Sequence, residues 1–148
     1  MSTISSYLTA EHREADVLFS YAEQAIADGD WMQAETWFQR FTAATLNHFE
    51  KEETVVFPAF EQATGNSSGP TRMMRIEHEE IRGMFDRVSN AIVIHDVEGS
   101  LGLAETLLIV IQQHNIKEEQ VLYPMTDRLF GGQHDGMVLQ MRQLQSAG

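Results

Sequence analysis

A chain of 148 residues with 43% hydrophobic content is long enough to bury a substantial core without disulfide or metal staples. It contains no cysteine, which excludes disulfides, thiolate metal sites, iron–sulfur clusters and cysteine nucleophiles. A formal charge of -12 opposes contact with phosphate backbones or an anionic bilayer, so neither nucleic acid nor membrane is an expected partner.

Apolar residues recur at intervals of three and four almost throughout, while strict alternation is rare, so the elements are helices. The first helix carries Leu8, His12, Ala15 and Phe19 on one stripe and stops at Ala27-Asp-Gly-Asp30, where Asp30 and Gln33 form a capping pair for the second. That second helix presents Trp37, Phe41, Thr45, His48, Glu52, Val55 and Val56. Thr64-Gly-Asn-Ser-Ser-Gly-Pro70 is the longest loop, and Pro70 suits the first turn of a third helix bearing Met74, His78, Ile81 and Phe85. His95-Asp-Val-Glu-Gly-Ser100 closes that helix and caps a fourth, whose stripe runs Leu103, Leu107, Val110, Ile111, His114, Glu118, Val121 and Leu122. Phe130-Gly-Gly132 ends it, and a short tail helix follows with Met137, Leu139, Met141 and Leu144 as its apolar positions. The fold class expected is all-α: an up-down-up-down antiparallel four-helix bundle with a short C-terminal helix, in one domain spanning 1–148.

The chain repeats itself. A shift of 66 residues lays His12 on His78 and Asp30 on Asp96, so that 11–65 matches 77–131 without a gap. His48-Phe-Glu-Lys-Glu-Glu-Thr-Val-Val-Phe-Pro58 aligns with His114-Asn-Ile-Lys-Glu-Glu-Gln-Val-Leu-Tyr-Pro124, identical at six of eleven positions. The interval from His12 to His48 equals that from His78 to His114, 36 residues. Each half is therefore a helical hairpin that supplies one isolated histidine and one His-x-x-x-Glu pair.

Residues four apart share a helix face, so His48 with Glu52 and His114 with Glu118 each reach one site. All lie on the apolar stripes. Two ionised glutamates buried there need compensating positive charge, and the stripes hold no Lys or Arg; Lys51 and Lys117 fall about 100° off them and are expected at the surface. Metal cations fit this gap. Four imidazoles and two bridging carboxylates give each of two ions two nitrogens and two oxygens. Octahedral preference then leaves room for a solvent-derived oxo or hydroxo bridge and an exogenous ligand. The same donors accept manganese or zinc, and the residues alone leave open which two histidines share an ion. A bundle without metal would have to protonate or hydrogen-bond Glu52 and Glu118.

The set His12, His48-x-x-x-Glu52, His78, His114-x-x-x-Glu118 resembles the hemerythrin family, in particular the HHE cation-binding domains, over residues 11 to 131. The resemblance implies two non-haem irons with His12, His48, His78 and His114 as terminal ligands and Glu52 and Glu118 as bridges. Oxygen-carrying hemerythrins have His-x-x-x-His on the third helix and a bridging aspartate on the fourth. Here Arg82 stands where the extra histidine would fall. The resemblance thus points toward members linked to iron repair and to nitric oxide and peroxide responses. The reading is a cytoplasmic di-iron protein that binds or reacts with O2, H2O2 or NO in oxidative or nitrosative stress, with an electron donor or protein partner. A non-catalytic oxygen, NO or iron sensor and an iron store or donor are the alternatives.

Other candidates receive blander roles. Glu53 and Glu119 are read as orienting a ligand imidazole or as solvated, and Asp16 as half of a surface ion pair. His95 lies 17 residues beyond His78, at the far end of its helix, and His134 has no repeat partner; both are read as structural or exposed. Phe57 and Tyr123 are assigned to the core, the methionines to adaptable filling, and Pro58 and Pro124 to kinks or ends just past the site. Ala15, Phe41, Thr45, Ile81, Leu107, Val110 and Ile111 are expected to line a small dry cavity fit for a diatomic gas or peroxide.

Overall fold

A computed structural model describes residues 2–144. All regular structure among them is helical. Helix α1 (Ile4–Ala27) opens on Thr3, whose side chain accepts from the Ser6 amide in a reciprocal capping box. Helix α2 spans 31–64, α3 is Pro70–Val93, α4 spans 97–129 and α5 is His134–Gln143. The caps fall where the sequence places them. Asp30 accepts from the Gln33 amide, Asp96 from the Gly99 amide, and Pro70 sits in the first turn of α3.

Two features depart from expectation along α2 and α4. Neither helix ends or breaks at its proline; each runs on, through Phe57–Thr64 and Tyr123–Leu129, after a π-helical turn at Glu52–Val56 and Glu118–Leu122. In these turns the Phe57 and Tyr123 amides reach back five residues, to the carbonyls of Glu52 and Glu118. The added residue absorbs the prolines, which have no N–H to offer. It also rotates the later part of each helix, so Val121, expected inside, is 54% exposed while Leu122 and Tyr123 are buried.

Helix α1 packs most extensively on α2 and α3 on α4, with further contact between α2 and α3 and between α4 and α1. The tail helix α5 rests on α1 and on the π turn of α2. Its buried residues are Met137, Val138 and Met141, while Leu139 faces solvent, because the turn after Gly132 starts the helix at His134 and sets that register. His134 is structural: its Nδ1 accepts from the Ile4 amide at 3.0 Å. His95, at φ +59°, is exposed and stacks on Trp31.

The apolar interior falls into two clusters. One contains Phe19, Ile26, Phe38, Phe41, Ile81, Phe85 and Leu107, and the other Ile4, Leu8, Val56, Phe57, Met74, Leu122 and Met141. Along each of the four long helices, the histidine or His-x-x-x-Glu pair lies between residues of the first cluster and residues of the second. The polar residues therefore form a layer with a dry layer on either side. No helix of the described residues is long and apolar enough to cross a membrane.

Candidate metal centre

The six residues singled out by the repeat meet in that layer, all buried, with Glu52, His78 and Glu118 at 0% exposure. They form two groups. Glu52, His78, His114 and Glu118 each offer a donor atom within 4.8 Å of the others, and so do His12, His48 and Glu118. The histidines that share a group come from one hairpin, and Glu118 belongs to both groups. Its Oε1 stands 3.2 Å from His12 Nε2 and 3.3 Å from His114 Nε2. Glu52 Oε1 stands 3.2 Å from His78 Nε2 and 3.4 Å from His48 Nε2.

An outer ring of carboxylates fixes the imidazoles. His12 Nδ1 is 2.7 Å from Glu119 Oε2, His48 Nδ1 2.9 Å from Glu11 Oε1, His78 Nδ1 2.6 Å from Glu53 Oε2, and His114 Nδ1 2.8 Å from Glu77 Oε1. A carboxylate only accepts, so Nδ1–H donates in every case and Nε2 is turned inward. Each outer carboxylate has its own cation: Arg13 on Glu119, Lys51 on Glu11, Arg82 on Glu53 and Lys117 on Glu77. Arg82, at the position of the missing fifth histidine, thus braces the carboxylate that orients His78.

Sequence reasoning reached Glu53 and Glu119 as orienting residues but gave Glu11 and Glu77 no role. Their signal was present, since they are repeat partners directly before His12 and His78; each serves the histidine of the neighbouring helix, which spacing does not reveal. Lys51 requires a correction. It is not at the surface but fully buried, donating to Tyr7 Oη at 2.8 Å and to Glu11. Lys117 is 52% exposed, as expected. Asp16 also departs from expectation, having no ion-pair partner among the described residues and lining a cavity instead. Burial raises its carboxyl pKa against the opposing pull of Arg13 and His12.

Tyr123 is more than packing. Its hydroxyl donates to Glu52 Oε2 at 2.7 Å, lies 3.0 Å from Glu118 Oε1, and is 3.3 and 3.4 Å from Nε2 of His12 and His48. The π turn brings it there by lifting the fifth residue after Glu118 onto the same face. Burial and the charges of Glu118 and Glu52 push its phenol well above the usual range. Its repeat partner, Phe57, lies against the His78 ring at 5.6 Å and offers no polar atom.

The donor set fits a cation. Every outer carboxylate is matched by Lys or Arg, whereas Glu52 and Glu118 have only histidines within ion-pair distance among the described residues. Glu52 Oε1, His78 Nε2, His114 Nε2 and Glu118 Oε2 are buried with no hydrogen-bond partner, although they converge on one another. Orphaned buried polar atoms are rare and costly, and a shared cation relieves all four at once.

Without metal the same charges are balanced by protons. Burial lowers the His48 pKa, but the Glu52 charge and the hydrogen bond to Glu11 outweigh it and lift the value to about 10. Burial likewise opposes His78, and Glu118, Glu52 and Glu53 lift it to about 11. Raised histidine pKa values stabilise the fold fully below the unfolded value near 6.5 and cease to do so as pH rises through 10 to 11. Chelator-treated protein should therefore show a urea midpoint that falls as pH climbs above 6.5, and His48→Gln should flatten the slope. An unchanged slope in that variant would contradict the assignment.

A cavity of ≈ 20 Å³ for a water-sized molecule opens beside the histidines, room for about one water or diatomic. Ala15, Phe41, Thr45, Ile81 and Ile111 line it as expected, with His12, His48, His114, Asp16 and Asn115. Leu107 and Val110 do not; Leu107 is buried in the apolar layer and Val110 lines a surface depression beside Glu77.

Comparison with known families matches residues 3–126 to the Hemerythrin HHE cation binding domain. Neither the comparison with curated proteins nor that with solved structures found a match. The chain belongs to the hemerythrin HHE cation-binding family.

Proposed function

We propose that this family member holds two non-haem iron ions on His12, His48, Glu52, His78, His114 and Glu118 and uses them to bind or react with a small ligand, O2, hydrogen peroxide or NO. The observation that carries the reading is the convergence of four orphaned buried donors, from Glu52, His78, His114 and Glu118, on one point. When bound, the ions supply a redox-active centre with positions open to an exogenous ligand.

The chain's own residues do the rest. Glu11, Glu53, Glu77 and Glu119 hold Nδ1–H of the four imidazoles, so Nε2 faces inward without further ordering. The apolar layers on both sides exclude bulk water. The cavity matches a ligand of about one water or diatomic in size, while Asp16 and Asn115 give its lining a polar edge. Arg82 in place of a fifth histidine favours a centre with two histidines for each ion over reversible oxygen carriage, and with it a role in oxidative or nitrosative stress in the cytoplasm.

The same reading takes 1–148 as one domain, two copies of a hairpin closed into an up-down-up-down antiparallel four-helix bundle with α5 as its short C-terminal helix. Ring contacts His12–His48, Phe19–Phe41 and Tyr21–Trp37 support it, because one number rises as the other falls.

Elemental analysis of anaerobically purified protein tests the proposal together with its optical spectrum. Two irons per chain and an absorption change on adding azide or peroxide are expected. A folded protein that takes up no metal would sink the reading, and two metals with no response to either ligand would sink its reactive part.

A further inference from the structure

The two donor groups differ in what they lack. In the group of Glu52, His78, His114 and Glu118, one donor atom of every member is buried and unpartnered. In the group of His12, His48 and Glu118 a protein atom already stands among the donors: Tyr123 Oη, whose proton goes to Glu52 Oε2 at 2.7 Å, lies 3.3 Å from His12 Nε2, 3.4 Å from His48 Nε2 and 3.0 Å from Glu118 Oε1. The first group has two carboxylates within reach of all its members and the second has one, Glu52 approaching only His48 at 3.4 Å. The difference comes from a break in the repeat, since Tyr123 stands where the other half has Phe57, and a phenyl ring leaves its neighbours' donors unsatisfied.

We infer that the two cation positions are unequal and fill in order, first Glu52–His78–His114–Glu118 and then His12–His48–Glu118, with Tyr123 as the residue that sets the gap. This rests on the metal-binding reading above and goes beyond it. A divalent cation entering the first group relieves orphaned atoms and meets two negative charges. One entering the second meets Glu118, with Glu52 only at its edge beside His48, and must displace the phenol oxygen that stands among its donors. Removing an orphan is favourable, whereas displacing the phenol gives up its buried hydrogen bond to Glu52. Replacing the phenol by the phenyl ring found in the other half, Tyr123→Phe, takes the oxygen out from among the second group's donors, and so draws the two affinities together.

Anaerobic calorimetric titration of metal-free protein with Fe(II) alone tests this. Two steps separated by about tenfold or more in affinity are expected, outer-partner effects on metal affinity being themselves of that size. His114→Gln should abolish the tight step, His12→Gln and His48→Gln only the weak one, and Tyr123→Phe should narrow the gap while both steps persist. Helicity of each variant is checked by circular dichroism, and Tyr123→Phe, which removes one oxygen, decides the matter if a histidine variant does not fold. A single step for two equal ions, or loss of the tight step in His12→Gln, overturns the order but not the metal reading. No uptake at all overturns both.

Discussion

Glu118→Gln is expected to leave the protein with no tightly held metal after dialysis, the largest effect of any single substitution in the centre. Glu118 is fully buried and is the one carboxylate shared by both donor groups, with Oε1 between His12 and His114 and Oε2 3.9 Å from His78. The amide keeps the volume and removes the charge. The group of His12 and His48 then has only Glu52 at its edge, 3.4 Å from His48 Nε2, and the other group keeps only Glu52. Glu119→Gln is the control, because Glu119 touches the centre only through His12 Nδ1. Loss of such an outer partner lowers metal affinity by roughly 10–100-fold without removing a donor. Metal per chain by elemental analysis separates the two, and retention of both ions by Glu118→Gln would remove the shared-carboxylate arrangement from consideration.

The second large effect is expected at Lys51. Lys51→Met in chelator-treated protein should lower unfolding free energy by about 1–3 kcal/mol, the range for removing a charged hydrogen-bond partner from a mostly buried group. Lys117→Met, at the repeat-related position, should change it by about 0–1 kcal/mol, as exposed pairs do. Both lysines hold the carboxylate that orients a histidine, Glu11 for His48 and Glu77 for His114. They differ in their surroundings. Lys51 is enclosed by Tyr7, whose ring lies 5.0 Å from Nζ, and its loss leaves Tyr7 Oη and Glu11 Oε2 without their donor and Glu11 with His48 as its remaining partner. Urea unfolding of the two variants is a direct comparison, and equal destabilisation would show that the burial of Lys51 is energetically unimportant.

Much of the centre was legible in the chain because it is a repeat. Six residues recurring at one offset, each on an apolar stripe, define inward polar groups without knowledge of any contact, and helical spacing joins each histidine to its glutamate. The helix boundaries followed from Asp30, Asp96, Pro70 and the glycine-rich breaks, whose effects are local. The π turns were not legible. They arise where a proline falls near the centre and the helix is held on both sides by packing, so that widening by one residue is less costly than stopping. That widening put Val121 outside and Tyr123 over the two glutamates.

What the sequence by itself determined is everything local or repeated: an all-helical chain, the membership of its family, and six buried donors whose charges require a counter-ion. Tertiary structure alone decided which histidines stand together, which carboxylate holds each Nδ1, and how far the two halves differ. The physical reason is that these are contacts between helices. Glu11 lies beside His12 in the chain but serves His48, and Glu119 reaches across to His12. Lys51 and Lys117 are each followed by a pair of glutamates, yet Tyr7 has Met73 as its counterpart, and α5 packs on α1 and on the π turn of α2. A duplicated hairpin gives two equal halves; Tyr7, packed against one of them, makes one lysine buried while the other stays exposed, and Tyr123 in place of a second Phe57 puts a phenol oxygen on one side of the centre only.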